Sequence, residues 1–442
     1  MAKVALTMPV FFQLRQPCCD IGNYSFELYG LYMRIKILTV FGTRPEAIKL
    51  VPVIRALNSD KDIDAKVCVT FQHRQMLTQV LELFGINVDE QLDNEPVNQY
   101  MGQSLSQSQA RMLEGLDKII ARQKPDLVLV HGDTSSCLAG ALAAFYRQVP
   151  VIHIEAGLRT GNLCAPFPEE AHRQMVARVA SLHLVPTVRA RAHLLAENIT
   201  ADSIYVTGNT IVDALAMVRE QIAQFPYGYF EQQLRQQAGM EGYEFAPPLV
   251  LITLHRRESS GEKFRALCKA ILQLAQANQD RTFVFPLHLN PEVNEPARKI
   301  LGGTANIYLI PPQEYHLFVW LLMRAELVIT DSGGVQEEAE VLGKPVFILR
   351  DQSDRPESLA RASARLVGTD PSNLISQAND FFKIRKASTF LQTEAENVLS
   401  EVFGDGQAAQ RIVSIIKQKY GSEFVDNNIA PEKYPRTMCE LD

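Results

Sequence analysis

Short runs of unbroken apolar residues alternate along the chain with longer stretches whose apolar residues recur every three or four positions. Arg34–Phe41, Ala65–Thr70, Leu127–Val130, Val149–Ile154, Leu182–Val185 and Ile204–Val206 are of the first kind. So are Leu249–Leu254, Thr282–Pro286, Ile307–Ile310, Leu327–Thr330 and Val346–Leu349. Such runs read as strands covered on both faces, and the stretches between them as amphipathic helices. Helices are expected after Gly42-Thr43-Arg44-Pro45, from Gln72 through Phe84, and over about 103–122. Further ones are expected from Ile211 (capped by Asn209 or Thr210) and over 262–278, 313–325, 333–342 and 406–420. The alternation predicts parallel sheets with helical crossovers.

The pattern divides the chain. Residues 1–33 do not fit it and make a poor signal peptide; they read as an extension without fixed structure. Residues 34–207 form one α/β unit and 208–400 a second of similar build, with a last helix over 401–420 returning to the first. Residues 421–442 read as a disordered polar tail. Residues 223–247, polar, aromatic and punctuated by Pro and Gly, read as surface. At 442 residues two domains are the natural expectation.

Composition narrows the function classes. A net charge of −6 argues against nucleic acid as a partner, since binders of that kind carry a basic stripe. No apolar run is long enough to span a membrane. Seven scattered cysteines without a C-x-x-C pair suit reduced thiols and a cytoplasmic location, and argue against a structural zinc site.

The candidate chemistry lies where strands end. Ligands of open α/β sheets sit beyond the carboxyl ends of the strands. Asp133 and Glu155 follow two such ends, and Glu169, Glu170 and Arg173 follow one loop later, so several carboxylates face one crevice. Carboxylates sharing a desolvated cleft push each other's pKa values apart, which suits proton removal followed by proton return. Asp133, before Thr134-Ser135, would also serve as a helix cap. Arg44 and Lys49 lie in or near the first turn of a helix, where backbone N–H groups favour anions. There Gly42 is expected to permit a tight turn. Asp331-Ser332-Gly333-Gly334 runs from a strand into a helix, the parts of a phosphate cradle, and Glu338 farther along could take both hydroxyls of a ribose. His255-Arg256-Arg257 supplies three donors at another strand end, and His288 follows another.

Ten segments stand in order: FGTRPEAIKL (41–50), QHRQML (72–77), HGDT (131–134), EAGLRT (155–160), PFPEEAHR (166–173), GNT (208–210), HRRES (255–259), HLNP (288–291), DSGGVQEEA (331–339) and DRPE (354–357). Together they strongly resemble the bacterial non-hydrolysing UDP-N-acetylglucosamine 2-epimerases, from about Met33 to Tyr420. The resemblance implies two Rossmann-like domains facing a central cleft, the B-type glycosyltransferase fold. It implies interconversion of UDP-N-acetylglucosamine and UDP-N-acetylmannosamine through a bound 2-acetamidoglucal, with no metal or other cofactor. A homodimer serving envelope polysaccharide synthesis follows from the same analogy.

By that resemblance Asp133, Glu155 and Glu169 are the acidic residues of proton transfer and His255 a catalytic histidine. Arg44, Lys49 and Arg173 are substrate-binding positions. Gln313, Phe318, Ser332, Gly333, Gly334, Glu338 and Arg355 are nucleotide contacts. Gln72, His73, Gln75 and His288 match regions that hold a second, activating UDP-N-acetylglucosamine in some members. Ala171-His172 and Ala339-Glu340-Val341 depart from the usual family pattern. A hydrolysing epimerase, a glycosyltransferase of the same fold and an inactive nucleotide-sugar sensor are the alternatives.

Overall fold

A computed structural model describes residues 34–72, 74–92, 104–238, 248–254, 261–287, 290–350, 363–387 and 403–425. Among these residues the chain builds two parallel sheets. The first holds β1 (Ile35–Phe41), β2 (Ile63–Val69), β3 (Glu90–Gln91), β4 (Leu127–His131), β5 (Val151–Ile154), β6 (Leu182–Val185) and β7 (Ile204–Val206). The second holds β8 (Leu249–Thr253), β9 (Thr282–Pro286), β10 (Ile307–Ile310), β11 (Ala325–Thr330), β12 (Val346–Ile348) and β13 (Ala364–Leu366).

Helices α1 (Arg44–Ser59), α2 (Arg74–Phe84), α3 (Leu105–Gln123), α4 (Ser135–Tyr146), α5 (Glu169–Val179) and α6 (Val188–Ala196) cross over the first sheet. Helices α7 (Thr210–Ala223) and α8 (Tyr229–Ala238) precede the second sheet. Then come α9 (Glu262–Ala277), α10 (Pro291–Leu301), α11 (Tyr315–Arg324), α12 (Gly333–Val341), α13 (Pro371–Ala387) and α14 (Ala408–Val425).

The central strands β4 and β8, LVLVH and LVLIT, are buried at every position. Helices cover both faces of each sheet, so alternation is absent and the sequence shows unbroken apolar runs. The sheet orders are β3-β2-β1-β4-β5-β6-β7 and β10-β9-β8-β11-β12-β13. Each chain path therefore reverses direction once, between β1 and β4 in the first sheet and between β8 and β11 in the second. Crevices open beyond the carboxyl ends of strands at such reversals. Gly42–Arg44 and Gly132–Asp133 flank the first, and Asp331–Ser332 borders the second.

One apolar cluster runs through both halves. It includes Ile37, Phe41, Leu50 and Ile54 from the first, Leu249, Phe318, Leu322 and Val346 from the second, and Ile211, Leu215, Ile412 and Ile416 from α7 and α14. The last helix lies against α1 and α7. Its Lys417 reaches Asp60 at 2.9 Å and Asp62 at 2.8 Å.

Several expectations need correction. Within the stretch read as plain surface, 229–238 is a helix that buries Phe230 and Leu234. Phe230 stacks on Trp320 of α11, and Phe225 packs edge-on to His316. With apolar anchors only one turn apart, that helix had little periodicity to reveal it. Strands β3 and β13, of two and three residues, are too short to leave a pattern. Helix α14 continues to Val425, past the expected end at Tyr420. The extension 1–33 and the tail from residue 426 lie outside the described residues.

Candidate active site

The first reversal point is organised by a carboxylate that carries no role in the sequence reading. Glu46 Oε2 accepts from the backbone N–H of Gly42 at 3.1 Å, the N–H of Thr43 at 2.8 Å and the Thr43 hydroxyl at 2.7 Å. Its other oxygen accepts from the Thr134 hydroxyl at 2.7 Å. One side chain thus ties the start of α1, where Arg44 stands, to the residue after Asp133. Burial pushes Glu46 up to about 7, despite four hydrogen bonds that favour the anion.

Gly42 serves space rather than a turn: a Cβ there would come within 2.0 Å of Thr70 Oγ1 and 2.1 Å of Ser136 Oγ. Gln72 belongs to the same buried network, where its Oε1 accepts from the Ser136 hydroxyl at 3.1 Å. Gln72, expected at an activator site, is buried and engaged with Ser136 in this structure.

Asp133 does not cap α4. Thr134 does, its hydroxyl accepting from Cys137 N at 3.0 Å. The Asp133 carboxylate is instead ion-paired with the buried Arg173, and its carbonyl meets His172 Nδ1 at 3.0 Å. Burial lowers the pKa of His172, which keeps that ring neutral at pH 7. Of the paired acids that open α5, Glu169 is half-buried. Glu170 is fully buried and accepts from Thr160 N at 3.0 Å and Gly161 N at 3.2 Å while lying 3.5 Å from Arg173. Glu170 thus anchors the loop between β5 and α5.

Glu155 takes a left-handed conformation, φ +60°, uncommon for a residue with a side chain. Such outliers concentrate at functional sites, where the surrounding fold holds them. The carboxylate is ion-paired with Lys49, and His131 Nε2 lies 3.7 Å away. Burial lowers His131 to about 3, so it faces Glu155 as a neutral ring.

The second reversal point supplies α12. Ser332 stands at the N-cap, and its hydroxyl oxygen accepts no capping bond from the helix. Among the described residues, a Cβ on Gly334 would meet nothing within 4 Å beyond its own helix and chain neighbours. This helix buries polar side chains: Gln336, Glu337, Glu338 and Glu340 are all buried. Glu338 accepts from the Tyr315 hydroxyl at 2.8 Å, and the Arg44 guanidinium sits over the Tyr315 ring at 5.7 Å. Burial pushes Glu338 up to about 7, with Tyr315 and Arg44 pulling it back and Glu337 adding to the rise.

The two halves meet at Lys49. Its ammonium, already on Glu155, lies 2.7 Å from Glu337 of α12. Glu155, Arg44 and Lys49 of the first half are thereby brought beside Glu337 and Glu338 of the second. Gln313 and Phe318 are buried just before and within α11; Gln313 Nε2 donates to Pro311 O at 2.5 Å, and Phe318 packs in the shared apolar cluster. His73, His255, His288 and Arg355 lie outside the described residues, as does the side chain of Gln75.

A family model described as UDP-N-acetylglucosamine 2-epimerase matches residues 55–417. The chain belongs to that family. A UDP-N-acetylglucosamine 2-epimerase of Escherichia coli K12 is 46% identical over 387 residues, covering 87% of this chain and 98% of the relative. A crystal structure of the Neisseria meningitidis UDP-GlcNAc 2-epimerase bound to UDP-GlcNAc superposes with a TM-score of 0.79 at 41% identity, covering 87% of this chain and all of the other. The Methanocaldococcus jannaschii UDP-GlcNAc 2-epimerase, solved with UDP-GlcNAc and UDP, gives 0.73 at 30% identity, with 87% and 100% covered. The two-sheet architecture expected of this epimerase family is the one found.

Sequence reasoning overlooked Glu46, Tyr315 and Glu337 as members of the site. Thr43-x-x-Glu46 is a capping-box spacing, so Glu46 had a readable signal. Tyr315 and Glu337 had none, because Arg44 and Lys49, which they meet, lie hundreds of residues away.

Proposed function

We propose that the protein epimerises UDP-N-acetylglucosamine to UDP-N-acetylmannosamine reversibly and without net hydrolysis. The reading is supported by family membership and, above all, by Lys49, which links a carboxylate of the first half to the anion-binding helix of the second. In the proposed reaction a carboxylate removes the C2 proton. The C1–O bond breaks toward UDP, which leaves with the bonding electrons, and a C1=C2 double bond forms. The β-phosphate oxygen then adds back to C1 while C2 receives a proton on the opposite face. Atoms and electrons balance, and no external oxidant or reductant enters.

C2–H has no adjacent carbonyl to acidify it, so departure of UDP must share the barrier. Arg44, the Ser332 hydroxyl and the amino end of α12 are suited to stabilise charge gathering on the diphosphate. Glu338, hydrogen-bonded to Tyr315, is suited to a ribose. Asp133, Glu155 and Glu169 are the proposed proton-transfer residues, and His255 a further one near the phosphates. The proposal extends to the division at residues 207–208, a homodimer and a cytoplasmic role in supplying envelope polysaccharide. Among the described residues no helix is long and apolar enough to cross a membrane.

Incubation with UDP-N-acetylglucosamine alone in D2O, followed by NMR, tests the reaction. The expected result is deuterium at C2 in an equilibrium mixture of the two nucleotide sugars. Stoichiometric release of UDP and free sugar would establish the hydrolysing alternative instead, and turnover only with an added acceptor would establish a glycosyltransferase.

A further inference from the structure

A buried polar ring in the middle of a strand needs a reason, because an apolar side chain would fill the space without the cost of desolvation. His153 of β5 is such a ring, fully buried and paired in register with Val130 of β4 and His183 of β6. Its Nε2 lies 2.7 Å from Gly132 O. A carbonyl only accepts, so Nε2 carries the proton and donates. Burial lowers His153 to about 3, which leaves the ring neutral with this one N–H to give. The Cys137 thiol adds a weaker bond to the same carbonyl at 3.3 Å, and Gly132 N donates to Ile154 O at 2.9 Å. Gly132 is therefore tied to β5 through both its N–H and its C=O.

The next carbonyl is held in the same way. His172 Nδ1 of α5 lies 3.0 Å from Asp133 O, and that ring too is buried and neutral. Two histidines from different elements thus donate to the consecutive carbonyls on either side of the Asp133 Cα. The two peptide planes set the direction in which the Asp133 side chain leaves the backbone. Gly132 is buried, whereas the Asp133 side chain is 24% exposed, so the carboxylate projects from a fixed base. We propose that His153 and His172 are positioning residues for the epimerisation: each donates one hydrogen bond to a carbonyl flanking Asp133, and together they hold its carboxylate at the angle that proton transfer at C2 requires. The inference rests on the epimerase reading of this site, with Asp133 as a proton-transfer residue.

The test sets an apolar residue against an amide that keeps the donor: His153→Met against His153→Gln, and His172→Leu against His172→Asn. The Gln amide nitrogen can stand where Nε2 does, and the Asn amide nitrogen where Nδ1 does. C2 deuterium exchange is measured per UDP-binding site, with the number and affinity of sites taken from isothermal titration with UDP. His153→Met is expected to lower kcat and exchange per site about tenfold, and His172→Leu about fivefold, with KM and UDP affinity within about twofold of wild type. The Gln and Asn variants are expected within about threefold of wild type. A merely structural role would reduce the number of sites and leave exchange per site unchanged, and that outcome overturns the inference. Equal losses in the amide and apolar variants overturn it as well. Should His153→Met fail to fold, the His172 pair decides: exchange per site lowered in His172→Leu and restored in His172→Asn supports the proposal, and any other result overturns it. Absence of C2 exchange in the wild-type protein would instead sink the epimerase reading itself.

Discussion

The two halves hold their buried acids in different ways. In the first, Asp133 is clamped by Arg173 and Glu155 by Lys49, so each carboxylate has a full opposite charge against it. In the second, Glu338 is held by a tyrosine hydroxyl and sits near neutrality in pKa. The first arrangement sets a fixed cation against each carboxylate in water-poor surroundings. The second keeps a carboxyl adaptable, able to accept from hydroxyl groups of a ligand or to hold a proton until one arrives. Similar architecture thus yields two kinds of buried acid, which the proposed reaction assigns to a proton-transfer side and a recognition side, and the difference lies in what each strand end offers as partner.

The sharpest way to break that contrast is Asp133→Asn. It should lower C2 deuterium exchange by about 10²–10⁴-fold while leaving UDP binding intact, as read by NMR and isothermal titration. Wild-type exchange would remove Asp133 from the proton-transfer side. On the recognition side, Glu338→Gln should weaken UDP binding about tenfold and lower C2 exchange less than Asp133→Asn does. The opposite order would exchange the roles of the two halves.

Glu46 sharpens the comparison from within the first half, since among the described residues it is held by four hydrogen-bond donors rather than by a cation. Its pKa rises from 4.5 to about 7 on folding. A raised pKa means that the folded state binds the proton more tightly. The associated stability is fully present below pH 4.5 and is lost as pH climbs through 7. Glu46→Gln, fixed as neutral, should therefore gain on wild type between pH 5 and pH 8, by up to about 3 kcal/mol. Thermal melts at the two pH values measure it, and a constant difference in Tm would show that Glu46 is not protonated in the fold. The smallest effect is local. Asn209 caps α7 through a 3.1 Å bond from Ile211 N, and Asn209→Ala should cost about 1 kcal/mol by chemical denaturation.

Much of the fold was readable because both sheets are covered on two faces, which leaves long apolar runs at central strands such as β4 and β8. What escaped was partly short or sparsely anchored, as in β3, β13 and α8, but the longer α10 and α13 were not anticipated either. The carboxylates at strand ends were readable for a similar reason, since topology alone aims them at a crevice. Their partners were not. Glycine at position 42 suggests a turn, yet it answers to Thr70 and Ser136, and only coordinates bring those side chains together. Asp133 looked able to cap a helix that Thr134 caps instead, and its own partner, Arg173, stands 40 residues along the chain. Lys49–Glu337 and Arg44–Tyr315 join the two sheets across nearly three hundred residues, a distance over which no local pattern carries information.

The chain passes between the sheets twice, and the two passages touch. Asn209 N donates to Phe403 O at 2.7 Å, and Gly208 and Gly404 approach so closely that a Cβ on Gly404 would lie 3.2 Å from Gly208 Cα. Beyond that crossing α14 lies on α1. A premature stop at codon 405 would thus leave the neighbouring sheet complete while stripping the cover from the helix that carries Arg44 and Lys49. Damage beyond residue 405 is delivered to residues 44–59.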